Sequence, residues 1–219
     1  MIIHRRAVPP FGKNGFVVAC ERTTEGVLID PGDEVLELLD VARSSSISVR
    51  HILLTHAHLD HVSGVAAARD AFGVPVHLHR DDLPLYERVE QQGAMFGIQV
   101  ARQPAPDVFY DGSEIRFGDY TVAVHHTPGH CPGGVCLQIG RTGTGGDHLF
   151  VGDTLFAGSI GRTDLPGGDY ATLMRSITGV LFPLGDDALV HPGHGPDTTI
   201  GRERTTNPFV LDYLAGTGG

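Results

Sequence analysis

The sequence predicts an α/β protein, a four-layer αββα sandwich of two mixed β-sheets flanked by helices, and three observations carry that expectation. Short β-branched or apolar runs alternate with helical patterns through the first third of the chain. The second half changes to short apolar strands separated by hairpin turn signals. Helical stretches occur in both halves, so each sheet has cover for a face. A length of 219 residues fits one domain spanning 1–219.

Phe16–Cys20 and Gly26–Asp30 read as strands. Asp30-Pro31-Gly32-Asp33 supplies the turn that stops the second strand before an amphipathic helix, Glu34–Ala42. His51–Leu54 follows as a strand, and alanine-rich Val62–Phe72 as a helix ended by Gly73 and Pro75. Val76–His79 is the next strand, and charged Asp81–Gln92 is helical. Asp111-Gly112 and Phe117-Gly118-Asp119 then bracket hairpin turns. Strands are expected at Thr121–His125, Val135–Ile139 and His148–Val151, a helix over Tyr170–Leu181 and a last strand at Ala188–Val190. The loop Arg141-Thr142-Gly143-Thr144-Gly145-Gly146 is too short to link domains.

Composition narrows the function. Lys and Arg total 16 against 26 Asp and Glu, a net charge of −10, with Lys13 the only lysine, which argues against nucleic-acid binding. No apolar stretch reaches the roughly 20 residues that cross a bilayer, and the N-terminus lacks a signal-peptide core, so no membrane partner and a cytoplasmic location are expected. Cys20, Cys131 and Cys136 are too few for a disulfide framework and suit a reducing compartment. The excesses are 13 histidines and 30 glycines, the residues of metal ligation and of sharp turns around a site.

Four potential ligands, His56, His58, Asp60 and His61, lie within Thr55-His56-Ala57-His58-Leu59-Asp60-His61, between a strand and a helix. Extended chain through that turn aims His56 and His58 to one side, and the entry into the helix returns Asp60 and His61 toward a neighbouring point. Taken alone, Asp60 would be an ordinary helix cap. The density of the group is what points to metal. Three more segments end a strand-like run in a glycine turn with a ligand residue: Thr127-Pro128-Gly129-His130, Phe150-Val151-Gly152-Asp153 and His191-Pro192-Gly193-His194. Five imidazoles and two carboxylates exceed one tetrahedral zinc and suit two adjacent cations sharing a carboxylate. His77 and His79 share a face if 75–79 is a strand, and a hydrogen-bonded structural role is expected for them. His125 and His126 point to opposite faces, His191 packs at a strand end, and Cys136 is a small core residue.

These motifs, T-H-A-H-L-D-H, T-P-G-H, G-D-T-L-F and a late G-H-G, resemble the metallo-β-lactamase superfamily in order and spacing over nearly the whole chain. Gly161-Arg162-Thr163-Asp164-Leu165-Pro166-Gly167-Gly168-Asp169 and the tail Gly193–Pro196 with Arg202–Pro208 look like the short type II glyoxalases, which are hydroxyacyl-thiol thioesterases. The resemblance implies the αββα metallo-β-lactamase fold. It also implies that His56, His58 and His130 hold one metal, that Asp60, His61 and His194 hold a second, and that Asp153 bridges. The longer glyoxalase II enzymes grip glutathione with a C-terminal helical domain and lysines, whereas this sequence ends soon after its last candidate ligand and has no lysine beyond Lys13. Arg162 stands roughly where that family presents a basic residue to the thiol carrier, with an ion pair to Asp164 as the competing role. Cys131 stands where the family has a hydroxyl residue.

The resulting expectation is a metal-dependent hydrolase of a small anionic hydroxyacyl thioester of the S-lactoylglutathione kind, with two divalent ions, zinc foremost and iron or manganese also compatible. A hydroxide bridging the ions attacks the carbonyl, and Asp60 orients it. The first rival is a persulfide (sulfur) dioxygenase of the same superfamily with one iron on His56, His130 and Asp153. Others are a two-metal nuclease, a lactam hydrolase and a non-catalytic metal-binding module.

Overall fold

The computed structural model describes residues 1–143 and 147–217, so part of the 141–146 loop lies outside the described residues. The chain divides into two compact units, Met1–Thr121 and a second that begins at Val122. Among the described residues no helix is long and apolar enough to cross a membrane.

The first unit is built on a sheet of β1 (Ile2–Arg6), β2 (Gly15–Ala19), β3 (Glu25–Ile29), β4 (Ser48–Leu53), β5 (Val76–Leu78) and β6 (Val108–Phe109), hydrogen-bonded in that order. The first two pairings are antiparallel and the last three parallel, so the sheet is mixed. Parallel pairing needs crossovers, and α1 (Val35–Ser44), α2 (Leu59–Val62) with α3 (Val65–Phe72), and α4 (Leu83–Tyr86) with α5 (Val89–Met95) supply them. In α1 the spacing Val35, Leu38, Leu39, Ala42 makes one apolar stripe, and all four are buried in a core with Val17, Leu28, Ile52 and Leu54.

The expected helix 62–72 is interrupted. The Gly64 amide bonds the Pro31 carbonyl at 3.0 Å, and the Ser63 hydroxyl bonds Asp33 at 2.9 Å. The 30–33 turn therefore takes the Gly64 amide that a continuous helix would need, and α2 and α3 form separately. The charged stretch after Val76–Leu78 is likewise a 3-10 turn, Arg80–Asp82, followed by two short helices.

The second sheet contains β7 (Ile115–Phe117), β8 (Tyr120–His126), β9 (Val135–Arg141) and β10 (His148–Gly152). A small separate hairpin, β11 (Leu155–Phe156) and β12 (Ser159–Ile160), follows, and then β13 (Leu189–Pro192) and β14 (Thr198–Thr199) complete the large sheet. Its order is β14-β13-β10-β9-β8-β7, with β10 antiparallel to β9 and parallel to β13, so it too is mixed. The expected helix 170–181 is present as α6 (Tyr170–Ser176) continuing into a π-helical turn at Ile177–Leu181. Its Leu173, Met174, Ile177 and Leu181 bury against Leu149, Val151 and Val190; full burial of one such side chain contributes about 1.5–3 kcal/mol. Helices α7 (Ile200–Thr206) and α8 (Pro208–Thr217) close the unit. Edge strand β1 and the pair α7–α8 were not expected from the sequence.

Candidate functional site

In the first unit β4 ends at Leu53, the chain bends at Thr55, and His58, extended at φ −72°, ψ 151°, precedes α2. His58, not Asp60, is the N-cap residue, and it makes no side-chain cap bond. The carboxylate that organises this turn is Asp30, at the end of β3. One oxygen accepts the Thr55 amide at 2.7 Å; the other accepts the Thr55 hydroxyl at 2.6 Å and lies 2.9 Å from His61 Nδ1. An ionised carboxylate only accepts, so His61 donates from Nδ1 and keeps its Nε2 lone pair. The Thr55 hydroxyl donates its hydrogen bond to Asp30, so at 3.1 Å it accepts from His56 Nδ1, and His56 is left in the same tautomer.

Asp82 accepts the Ala57 amide at 2.8 Å, and Gln92 accepts the Leu59 amide at 2.9 Å while donating to the Ala57 carbonyl at 3.1 Å. The ring centres of His58 and His61 then lie 4.9 Å and 4.0 Å from that of His56, and His61 Nε2 lies 3.8 Å from Asp60. His56 and His61 are buried, and His58 and Asp60 are half-buried. All four residues expected from the 55–61 run are together. Gly32 permits this, since a Cβ there would sit 1.7 Å from the Asp60 carbonyl oxygen.

In the second unit the candidate ligands come from three turns. The His130 turn is held against α6: the Asp169 amide bonds the Gly129 carbonyl at 2.8 Å and the Ser176 hydroxyl bonds the Pro128 carbonyl at 2.7 Å. Asp153 follows β10 and His194 follows β13, and the two turns are joined by the Gly193 amide on the Gly152 carbonyl at 2.8 Å. His130 Nδ1 lies 2.7 Å from the Arg162 carbonyl, an acceptor, so this ring also donates from Nδ1 and keeps its Nε2 lone pair. Asp153 Oδ2 is 3.7 Å from His130 Nε2 and 3.5 Å from His194 Nε2. The Phe156 and His194 rings stand perpendicular, with centres 6.1 Å apart.

The donor chemistry of both groups fits a metal. In His61–Asp60 and His130–Asp153 the Nε2 of an imidazole faces a carboxylate oxygen, and with the imidazole neutral a cation between the two would satisfy both. Two ligands of one zinc, each about 2.0–2.2 Å from it, stand roughly 3–4 Å apart, which matches the 3.8 and 3.7 Å separations.

The remaining candidates take structural roles. His77 Nε2 bonds His51 Nδ1 at 3.0 Å, and His79 accepts the Asp81 amide at 3.3 Å. His125 bonds Gln138 and His126 bonds the Pro132 carbonyl. His191 stacks on Phe150 and bonds His148 at 2.9 Å. Cys136 lies in the core, and burial pushes its thiol well up. The Arg162 guanidinium makes a bidentate pair with Asp164 at 2.8 and 2.7 Å, and that hydrogen bonding holds the Asp164 carboxyl down at about 2.

Sequence reasoning missed Asp30 and Asp82. Asp30 ends a strand run just as Asp153 does, and its φ of 48°, unusual outside glycine, marks a backbone held in place for a purpose.

Residues 8–198 match the family model of the metallo-β-lactamase superfamily. The hydroxyacylglutathione hydrolase GloC of Haemophilus influenzae is 38% identical over 186 residues, covering 84% of this chain and 86% of its own. The crystal structure of BLEG-1, a B3 metallo-β-lactamase, superposes with a TM-score of 0.86 at 35% identity, covering 95% of this chain and 99% of its own. TTHA1623, crystallised in a di-iron-bound form, superposes with a TM-score of 0.83 at 40% identity, covering 94% and 99%. The two mixed sheets flanked by helices are thus the metallo-β-lactamase fold, and the chain belongs to the metallo-β-lactamase superfamily.

Proposed function

We propose that this protein is a metal-dependent hydrolase of small anionic hydroxyacyl thioesters, acting as one functional domain over 1–219. His56, His58 and His130 would hold one divalent cation, Asp60, His61 and His194 a second, and Asp153 would bridge them. The observation that carries the reading is the shared tautomer: His56, His61 and His130 each commit Nδ1 to a fixed acceptor and keep the Nε2 lone pair. Ligating imidazoles are oriented in this way. The similarity to GloC favours the thioester over the lactam named for BLEG-1. Nitrogen and carboxylate donors suit zinc foremost and accept iron or manganese, and TTHA1623 was crystallised with two irons.

When bound, such a pair of ions supplies a Lewis acid and an ionised water near neutral pH. The chain's own residues do the rest. Asp60 accepts a hydrogen bond from the attacking water and so aims its lone pair at the carbonyl carbon. Asp30 holds His61, and through Thr55 His56, against rotation while charge develops on the substrate. Arg162 would take a substrate carboxylate in exchange for Asp164, which its guanidinium now holds. A thiol ionises near pH 8.5, so the departing sulfur needs little help from a general acid.

One purified sample decides the reaction. Thiol release from S-lactoylglutathione that is lost on chelation and restored by zinc, iron or manganese is the expected result. Oxygen uptake with glutathione persulfide and no thiol release would overturn it in favour of an iron dioxygenase, and ring opening of a β-lactam alone would favour a lactamase.

A further inference from the structure

We propose that Glu203 and Asn207, in the Arg-Glu-Arg-Thr-Thr-Asn-Pro run, are positioning residues for the second unit's ligands: they clasp the β11–β12 hairpin and through it fix Asp153, His130 and His194. The inference takes from the preceding section only that these three residues are ligands.

Both side chains are fully buried. Glu203 accepts the Thr198 hydroxyl at 2.6 Å on one oxygen, and the Gly158 amide at 2.8 Å and the Asn207 side-chain amide at 2.9 Å on the other. Asn207 extends the same amide nitrogen to the carbonyls of Ser159 at 2.9 Å and Phe156 at 3.5 Å. The hairpin turn is therefore bonded at 156, 158 and 159 by two side chains that follow it by more than forty residues. It needs such support, because its paired strands are two residues each, Leu155↔Ile160 and Phe156↔Ser159, and an isolated hairpin of that length has no stability of its own.

The hairpin leads straight to the ligands. Its first strand starts two residues after Asp153, and its second ends two residues before Arg162, whose carbonyl orients His130. Between them Gly161 lies so close that a Cβ would stand 1.8 Å from the Asp153 carbonyl oxygen and 3.3 Å from His130 Nδ1. A shift of the hairpin by a few tenths of an ångström therefore reaches both residues. Phe156, on the first strand, sets the ring that faces His194. Apolar contact alone would let the hairpin slide. A buried carboxylate with three donors does not, since sliding leaves it underbonded at a cost of about 1–3 kcal/mol per lost partner.

The test uses the full chain, zinc-loaded and 15N-labelled, with imidazole nitrogen–proton correlations read in Asn207→Ala and in the milder Thr198→Val. The His130 Nδ1–H resonance, identified by its loss in His130→Gln, is expected to shift or broaden in both, while that of His61 in the first unit stays in place. Thioesterase kcat is expected to fall about tenfold in Asn207→Ala and about threefold in Thr198→Val, with KM moving less than about twofold. A folded Asn207→Ala with a lower melting temperature but wild-type His130 and His194 resonances would overturn the proposal. If Asn207→Ala does not fold, the same readout in Thr198→Val decides. The resonances do not depend on turnover, so a wild type without thioesterase activity would defeat the proposed function and leave this test intact.

Discussion

In the first unit four candidate ligands come from six consecutive positions, and the carboxylates of Asp30 and Asp82 hold their turn. In the second, three come from turns at 130, 153 and 194, and the backbone orients the first of them: His130 rests on a carbonyl where His61 rests on Asp30. Both units bring a glycine against the carbonyl of an acidic ligand, Gly32 at Asp60 and Gly161 at Asp153, closer than any side chain allows. The contrast follows from locality. Neighbouring ligands compete for the same space and need a fixed external charge to set each rotamer, whereas ligands on separate strand ends are already placed by sheet register and need only their turns held.

The first unit should then depend on buried charge. Lys13, 1% exposed, donates to Glu34 Oε1 at 2.5 Å and to the Asp30 carbonyl, and the same Glu34 oxygen accepts the Gly32 amide at 3.1 Å. The pair thus locks the 30–34 turn beneath Asp30 and Asp60. Lys13→Met leaves Glu34 buried without its counter-charge, and the expected loss is about 3–5 kcal/mol in urea unfolding. Adding Glu34→Gln removes the stranded charge yet keeps an acceptor for Gly32, and should recover about half or more of that loss. A single variant that lost less than about 1 kcal/mol would show that the turn does not rest on the pair.

The same contrast explains what was legible in the sequence. The 55–61 run announces itself because its chemistry is contiguous, and the ligand turns at His130, Asp153 and His194 were legible because each repeats a strand-turn pattern. Asp30 was read as a turn residue, since its partners Thr55 and His61 are 25 and 31 positions away and no local periodicity connects them. Strands with continuous apolar runs, such as 16–20 and 26–30, were visible within a residue or two. Edge strand β1 was not, because His4, Arg5 and Arg6 carry no alternation of buried residues. Alanine-rich periodicity predicts a continuous 62–72 helix because it says nothing of a glycine amide claimed by Pro31. Arg162 was singled out for its side chain, while the structure uses its carbonyl.

Each unit also carries a histidine pair away from the ligands, and pH separates them. Burial, and next the neighbouring His51, push His77 from 6.5 down to about 4. The unfolded chain therefore binds this proton first, so stability is complete above pH 6.5 and falls as pH drops toward 4. His148 in the second unit is also lowered by burial, but the carboxylates of Asp147 and Asp197 oppose the shift. His77→Gln should flatten the dependence of the urea midpoint on pH between about 6.5 and 4 more than His148→Gln does. The other titratable groups are common to the two variants and cancel in the comparison. Equal slopes in the two variants would mean that the first unit's pair is not the more strongly desolvated.

The smallest effect belongs to Arg162, where side chain and backbone separate cleanly. Its guanidinium and Asp164 are exposed, 58% and 68%, so Arg162→Ala should leave the melting temperature and kcat unchanged, because the carbonyl that orients His130 remains. If the guanidinium also takes the substrate carboxylate, KM rises about tenfold in Arg162→Ala. Arg162→Lys should recover little of that, since an ammonium cannot make the bidentate contact. Asp164→Ala then distinguishes the two roles: it frees the guanidinium, so KM holds or falls if Arg162 grips substrate. Unchanged KM in both alanine variants would reduce the pair to a surface contact and leave Arg162 acting only through its carbonyl on His130.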